Sequence, residues 1–498
     1  MTKLTRLLLR PELHPAPGGL PRVPVPRSAV VVGGGLAGCA AAVALAERGV
    51  SVTLLEAKAE LGGRVRAWPD RLGDGTPFHM ERGFHAFFRQ YYNLRDFLRR
   101  AGVAGLVPLA DYPLYGPDGH ESFAGLPQHP LLGLPALLWR TPTVGLRDLA
   151  RSAPGTALEM LAWDPDRTPG AWDHVTATEY LDALHLPRRA RQMLFEVFAH
   201  SFFNPEGGMS AAELLRMFHF YFTGNPEGLL FDVLPQPFSS LWDAVGRLLR
   251  GLGVAVRLGE RVSRVERASA RWRVGALEAD AVVLAVTVPA LQSIVDASPD
   301  LDHTGWRRQI ASLGVTLPFA VWRLWLDKRA RPDRAPFAGT AGLGLLDNVS
   351  LFDRFQEEAR TWATRTGGSV VELHAYAVPE GVGAGAVRDD LWAQATRLYP
   401  ELAGAGVVDE RLLMARDCPS FAPGAAAHRP GPATPIPGVA LAGDFVKLPF
   451  PGALMEGAVA SGRLAANHLL SRWGVRGHAL RSIPSRGLLA GINLGDAQ

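Results

Sequence analysis

The stretch from Ala29 to Glu56 constrains this chain most. It reads Ala29-Val30-Val31-Val32, then Gly33-Gly34-Gly35-Leu36-Ala37-Gly38, an alanine-rich segment to Arg48-Gly49, and Val50-Ser51-Val52-Thr53-Leu54-Leu55-Glu56. A short apolar β-branched run bounded by glycines reads as a buried parallel strand. The alanine-rich segment favours helix, Gly49 stops it, and a second strand follows, ending on an acid. This is a βαβ unit with G-x-G-x-x-G in its first turn. Gly33 permits the tight turn, Gly35 lets backbone approach a pyrophosphate, and Gly38 lets helix and strand pack closely. A helix N-terminus with unpaired N–H groups then favours the phosphates, and Glu56 is placed to accept from a ribose hydroxyl. A glycine triplet alone would be weak evidence. Strand, helix, second strand and terminal acid in register make this a dinucleotide site.

At 498 residues the chain is too long for one simple core, and two domains are expected. Lys3, Lys58, Lys328 and Lys447 are the only lysines among 52 basic residues, and no basic stripe interleaves with aromatics, so nucleic acid is not a partner. Cys39 and Cys418 are the only cysteines. Without a disulfide framework or a Cys/His cluster of metal-ligand spacing, the context is reducing, hence cytoplasmic, and no metal is expected. No apolar run reaches the roughly 18 residues that span a bilayer. The basic N-terminal stretch 1–26 lacks a signal peptide's uninterrupted apolar core and reads as a flexible arm, with membrane-surface contact as the alternative.

Past the acid comes Leu61-Gly62-Gly63-Arg64. A Gly-Gly-Arg loop here suits a cofactor larger than its ADP half, with Arg64 offering planar donors to phosphate or flavin; a plain turn is the bland alternative. Then follows Glu81-Arg82-Gly83-Phe84-His85-Ala86-Phe87-Phe88, with Tyr91-Tyr92-Asn93 beyond. Together these segments resemble the FAD-dependent amine oxidase superfamily. Within it they are most similar to carotenoid desaturases of plant and cyanobacterial type and their β-carotene desaturase/methylase relatives (isorenieratene synthase-like). The likeness runs from about residue 27 to 468.

The resemblance implies FAD contacts position by position. Ala37 would lie at the phosphate turn, Glu56 and Ala57 at the ribose, and Gly63 and Arg64 near the pyrophosphate. Val262, on a strand, would lie against the adenine, and His85, Ala86 and Tyr91 would pass the isoalloxazine. A buried strand ending in Gly443-Asp444 precedes a helix opening at Met455-Glu456-Gly457-Ala458, and there Asp444 and Met455 would close the site. The chain departs from plant-type phytoene desaturases at Arg64, where they have lysine, at Arg89-Gln90-Tyr91-Tyr92, and at Phe238-Ser239-Ser240. These departures point away from phytoene and toward ring-modifying relatives.

The fold class is α/β: a discontinuous Rossmann-like FAD domain (27–105, 236–290, 425–470) with a substrate domain, mainly helical plus sheet (106–235, 291–424), and a tail (471–498). Helical spacing runs through Thr176–Leu186, Arg191–Phe203 and Met209–Phe222. Strands are expected at Val254–Leu258, Val262–Val265, a hairpin through Trp272–Val274, Ala281–Val286, Ala320–Leu326 and Val370–Val378, with a helix at Asp389–Tyr399. The apolar run Leu131–Trp139 reads as core or as a patch dipping into a membrane. Glu196, His200 and His219 read as structural.

One dinucleotide fingerprint, without a second for NAD(P)H, makes the flavin an oxidant that takes hydride from substrate. The resemblance implies desaturation of a long apolar isoprenoid, a carotenoid, favouring β-ring desaturation with methyl migration to aromatic end groups. Phe84, Phe87 and Phe88 would offer aromatic faces to a cationic step. A quinone is the expected electron acceptor, at a peripheral membrane surface. Another FAD oxidase, such as an amine oxidase, or a non-catalytic lipid-binding member of the fold stand as alternatives. No catalytic residue is assigned, although Glu81 and His85 are near enough in sequence to be candidate bases.

Overall fold

Five strands, the inner ones apolar, lie side by side in parallel in the computed structural model, which describes residues 10–491 apart from 110, 118, 123, 128–135, 137, 138 and 141–153. Their order is Ala255–Arg257, Ser51–Leu55, Ser28–Val32, Ala281–Leu284, Val439–Leu441. Strands buried on both faces need helices above and below. The Leu36–Ala46 helix is buried along its whole length, and the Leu454–Arg472 helix packs on it so closely that a Cβ added at Gly462 would stand 2.2 Å from the Ala37 carbonyl oxygen. The other face carries an antiparallel meander, Glu266–Ala268, Arg271–Val274 and Leu277–Ala279, with Trp272 fully buried.

A second, seven-stranded sheet runs Val407–Ala415, Phe319–Leu326, Ser369–Ala375, Asn348–Leu351, Phe337–Thr340, Leu114–Gly116, Gly119–Glu121. It is antiparallel except where Phe337–Thr340 meets Leu114–Gly116. Along Ser369–Ala375 the side chains alternate. Val371, Leu373 and Ala375 enter a core with Leu391 and Ala395 of the Ala384–Leu398 helix, which leaves Glu372 and His374 on the opposite face. A helical layer includes Ala177–Ala183, opened by a Thr176/Glu179 capping box, and Ala211–Phe218, capped by Ser210. It continues as a π-turn, His219–Thr223.

Several expectations need correction. Residues 10–26 are not a loose arm: Glu12–His14 pairs antiparallel with Leu480–Ser482, and Leu20 exchanges backbone hydrogen bonds with Gly474 and Arg476. The same pairing puts a strand, Leu480–Ser482, in the stretch expected to be a loose tail. Val262 is in no strand; charged and polar neighbours leave it nothing to alternate against, and its segment only skirts the sheet edge. The expected hairpin at Trp272–Val274 has a third strand. Of Leu131–Trp139, all but Ala136 and Trp139 lie outside the described residues. No helix among the described residues is long and apolar enough to cross a membrane.

Candidate active site

Gly33 has φ +109°, and a Cβ there would meet the Ala285 carbonyl oxygen at 2.3 Å, so only glycine makes this turn. A Cβ on Gly38 would lie 1.9 Å from the Gly33 oxygen. Gly38 therefore stands behind the turn and sets helix–strand packing; it does not border the cavity, unlike the other thirteen residues named above as FAD contacts. Gly35 is different: an added Cβ finds nothing nearer than 3.8 Å, the Gly63 Cα. That open cradle lies at the N-terminus of the Leu36–Ala46 helix, where N–H groups without intrahelical partners favour an anion.

The Gly62 N–H donates to the Gly34 carbonyl at 2.9 Å, bringing the Gly-Gly-Arg loop against the turn. Glu56 is buried, and its carboxylate accepts from the Gly34 N–H (2.7 Å) and the Lys58 N–H (2.8 Å). It braces the turn while bordering the cavity. Arg64 donates to Asp444 at 2.6 Å, joining pieces of chain 380 residues apart. Burial works against the charge on Arg64, and Asp444 more than offsets it. Leu454, beside Met455 at the second helix N-terminus, holds φ +49°, a left-handed conformation that strains leucine by about 1–3 kcal/mol.

These groups border one cavity of about 650 Å³, within the range of cofactor and ligand sites. Many aromatic rings line it. The Phe84 ring stacks on Phe337 at 4.5 Å and meets Phe231 edge-on at 5.7 Å; Phe88 meets Tyr221 at 4.9 Å. The hydroxyls of Tyr91 and Tyr221 are 2.6 Å apart. His85 donates from Nδ1 to the Gly83 carbonyl at 2.8 Å, and burial pushes its pKa down to about 4, so the imidazole is neutral. Phe87 turns away from the cavity, fully buried against Phe238, and cannot offer its face to a substrate.

Glu81 also stands outside the cavity lining. It accepts from the Phe238 N–H at 2.8 Å and faces Arg323 at 3.5 Å, and burial pushes its pKa up to about 7. His200 pairs with Asp347 at 2.7 Å and His219 with the Pro484 carbonyl at 2.8 Å, both structural contacts.

The sequence reading missed a polar cluster on the substrate-domain wall. His374 sits opposite Asn348 in the strand register, and Arg323 opposite Glu372. His374, Tyr376 and Asn348 border the cavity. His374 Nε2 is 2.7 Å from Glu372 Oε1, its Nδ1 is 2.9 Å from the Tyr376 hydroxyl, and Asn348 Nδ2 donates to that hydroxyl at 2.7 Å. A period-two strand reads the same whether its second face is core or cavity, so only the fold reveals them.

The donor set fits FAD: an anion cradle that a Cβ would fill, a braced acid, a paired arginine and a second helix N-terminus open onto one space. The model for flavin containing amine oxidoreductases matches residues 36–470. The chain is 47% identical to the carotenoid phi-ring synthase of Streptomyces griseus over 95% of this chain and 93% of that one. It is 28% identical to the carotenoid phi-ring synthase of Chlorobaculum tepidum, over 94% and 92%. Its fold matches a putrescine oxidase structure with TM-score 0.67 at 16% identity, covering 90% of this chain and 100% of that one. The chain belongs to the flavin containing amine oxidoreductase family, in its carotenoid desaturase branch, and is an FAD-dependent oxidoreductase.

Proposed function

We propose that this enzyme oxidises the β-ring of a carotenoid to an aromatic end ring, with desaturation and migration of one methyl group. The observation that carries this reading is the single cavity that joins the phosphate cradle at Gly35 to the aromatic wall of Phe84, Phe88 and Tyr221. FAD, when bound, accepts hydride. The chain's own part is to hold it, align a long hydrocarbon and exclude water. We assign the FAD contacts to Gly33, Gly35, Ala37, Glu56, Ala57, Gly63, Arg64, His85, Ala86, Tyr91, Val262, Asp444 and Met455, with Gly38 shaping the turn. The pieces 27–105, 236–290 and 425–470 would form the FAD domain, and 106–235 with 291–424 the substrate domain. The 47% identity to a protein named carotenoid phi-ring synthase supports the ring-level assignment. A cytoplasmic enzyme peripheral to the membrane, passing electrons to a quinone, accords with so apolar a substrate. Neutral His85 and the apolar wall favour a hydrocarbon over a cationic amine.

Anaerobic mixing of the yellow holoprotein with β-carotene should bleach the flavin, and adding a quinone should then yield carotenoid with aromatic end rings. Bleaching by amines alone, or conversion of phytoene with β-carotene untouched, would reverse the assignment.

A further inference from the structure

The polar cluster behind the aromatic wall has a hydrogen-bond direction that its chemistry dictates. Burial pushes the Glu372 carboxyl up, but Arg323, whose Nε donates to it at 2.8 Å, and His374 outweigh burial and hold it below the usual range. An ionised carboxylate only accepts, so His374 carries a proton on Nε2, and in the relay's resting state, with the imidazole neutral, Nδ1 accepts. The Tyr376 O–H is then the donor to Nδ1, and the Asn348 amide donates to the phenol oxygen. One lone pair of that oxygen is left over, on a residue bordering the cavity.

The surroundings keep this chain of groups in place. Phe203, itself at φ +60°, meets the Tyr376 ring at 4.7 Å. Gly83, at φ +98°, leaves room for the imidazole: a Cβ there would stand 2.8 Å from His374 Cε1. The glycine of the Glu81–Phe88 segment thus admits the histidine to the wall.

We propose that Tyr376, His374 and Glu372 form the proton relay that accepts the ring protons during aromatisation; this rests on the β-ring reading above. Aromatising a β-ring removes four hydrogens from its three methylenes. Two leave as hydride, with their electron pairs going to FAD and onward to a quinone-class acceptor. Two leave as protons. One methyl moves with its bonding pair from the quaternary carbon to the neighbouring methylene carbon, which gives up both its hydrogens. Each proton passes to the free lone pair of the Tyr376 oxygen as the phenol proton moves to His374 Nδ1, and Glu372 balances the resulting imidazolium. Burial, with Asp347 adding to it, pushes the Tyr376 phenol well up, so no standing phenolate exists and the two transfers are coupled. The first proton returns through Tyr376 to water while the quinone-class acceptor reoxidises the flavin, and the relay is then free to take the second.

The test uses FAD-loaded Tyr376→Phe, His374→Gln and His374→Gly proteins, mixed anaerobically with β-carotene in detergent micelles. Three quantities are read: FAD per chain, the rate of anaerobic flavin bleaching and, after a quinone is added, the yield of aromatic rings. FAD content should match the parent while bleaching and aromatic yield fall about 100-fold or more. Added imidazole should restore part of the His374→Gly activity and none of the Tyr376→Phe loss. Variants that bleach at the parent rate, or that lose activity only in proportion to lost FAD, would overturn the relay alone. A parent that β-carotene does not bleach would overturn the β-ring reading and the relay with it.

Discussion

Two glycines three positions apart do different work, and alanine separates them. At Gly38 the new methyl would have to occupy the Gly33 carbonyl oxygen, 1.9 Å away, and backbone on both sides resists. Gly38→Ala should cost about 1–3 kcal/mol of apoprotein stability and cut FAD retention as well. At Gly35 the backbone is extended, at φ −79°, and the protein leaves the new methyl free space. Gly35→Ala should leave the melting temperature of stripped protein unchanged yet weaken FAD binding about tenfold or more, roughly 1.4 kcal/mol. Melting curves and flavin titrations of both variants check this; a stability loss at Gly35 equal to that at Gly38 would refute it. Both residues were readable in the sequence because a phosphate turn is local, contained within Ala29–Glu56. Glu372, His374 and Tyr376 were not, because what makes them a cluster is a partner strand and a cavity.

Elements carry a second kind of close approach that sequence does not mark. Gly462 lies in the middle of the Leu454–Arg472 helix, where glycine is disfavoured by roughly 1 kcal/mol relative to alanine. Its Cβ, if present, would press on the Ala37 oxygen and on Ala41 N at 3.1 Å. The two helices whose N-termini open onto the cavity are therefore clamped together through it. Gly462→Ala improves helix propensity, yet the protein should melt lower and bind FAD more weakly, because separating the helices displaces Met455 from Gly35. A raised melting temperature would show that propensity wins and the helices can slide apart at little cost. The same scale explains the misreading at Val262. Val262 and Val265 suggest a strand, but a strand needs a partner, and the sheet edge next to it is already taken by Ala255–Arg257 against Ser51–Leu55.

Across the whole molecule the strand at Glu12–His14 meets the one at Leu480–Ser482, and one buried histidine fastens the second to the helical layer. Glu12–His14 pairs with Leu480–Ser482, the His14 ring bonds the Ser482 hydroxyl at 2.8 Å, and His219 Nε2 donates to the Pro484 carbonyl. Gly224 makes room for that imidazole, since a Cβ would stand 2.4 Å from its Cε1. Pairing across some 470 residues leaves no local signal, which is why both ends looked loose in the sequence. Burial pushes the His219 pKa from 6.5 down to about 4, against the opposing pull of Pro484 and Glu12. A group whose folded pKa lies below its unfolded value gives its full stability above the unfolded pKa, and loses it as pH falls toward the folded one. His219 should therefore cost the fold about 3 kcal/mol between pH 6.5 and 4. His85 and His478 shift in the same direction, while Glu81 and Glu456, pushed up to about 7, shift oppositely. The parent's own pH profile mixes all five, and only a difference isolates one. His219→Gln keeps an N–H donor for Pro484 and cannot take up a proton. Parent and variant melting temperatures, compared from pH 7 downward, should converge as the parent alone pays for protonation, and parallel curves would show that the tether tolerates a charged ring.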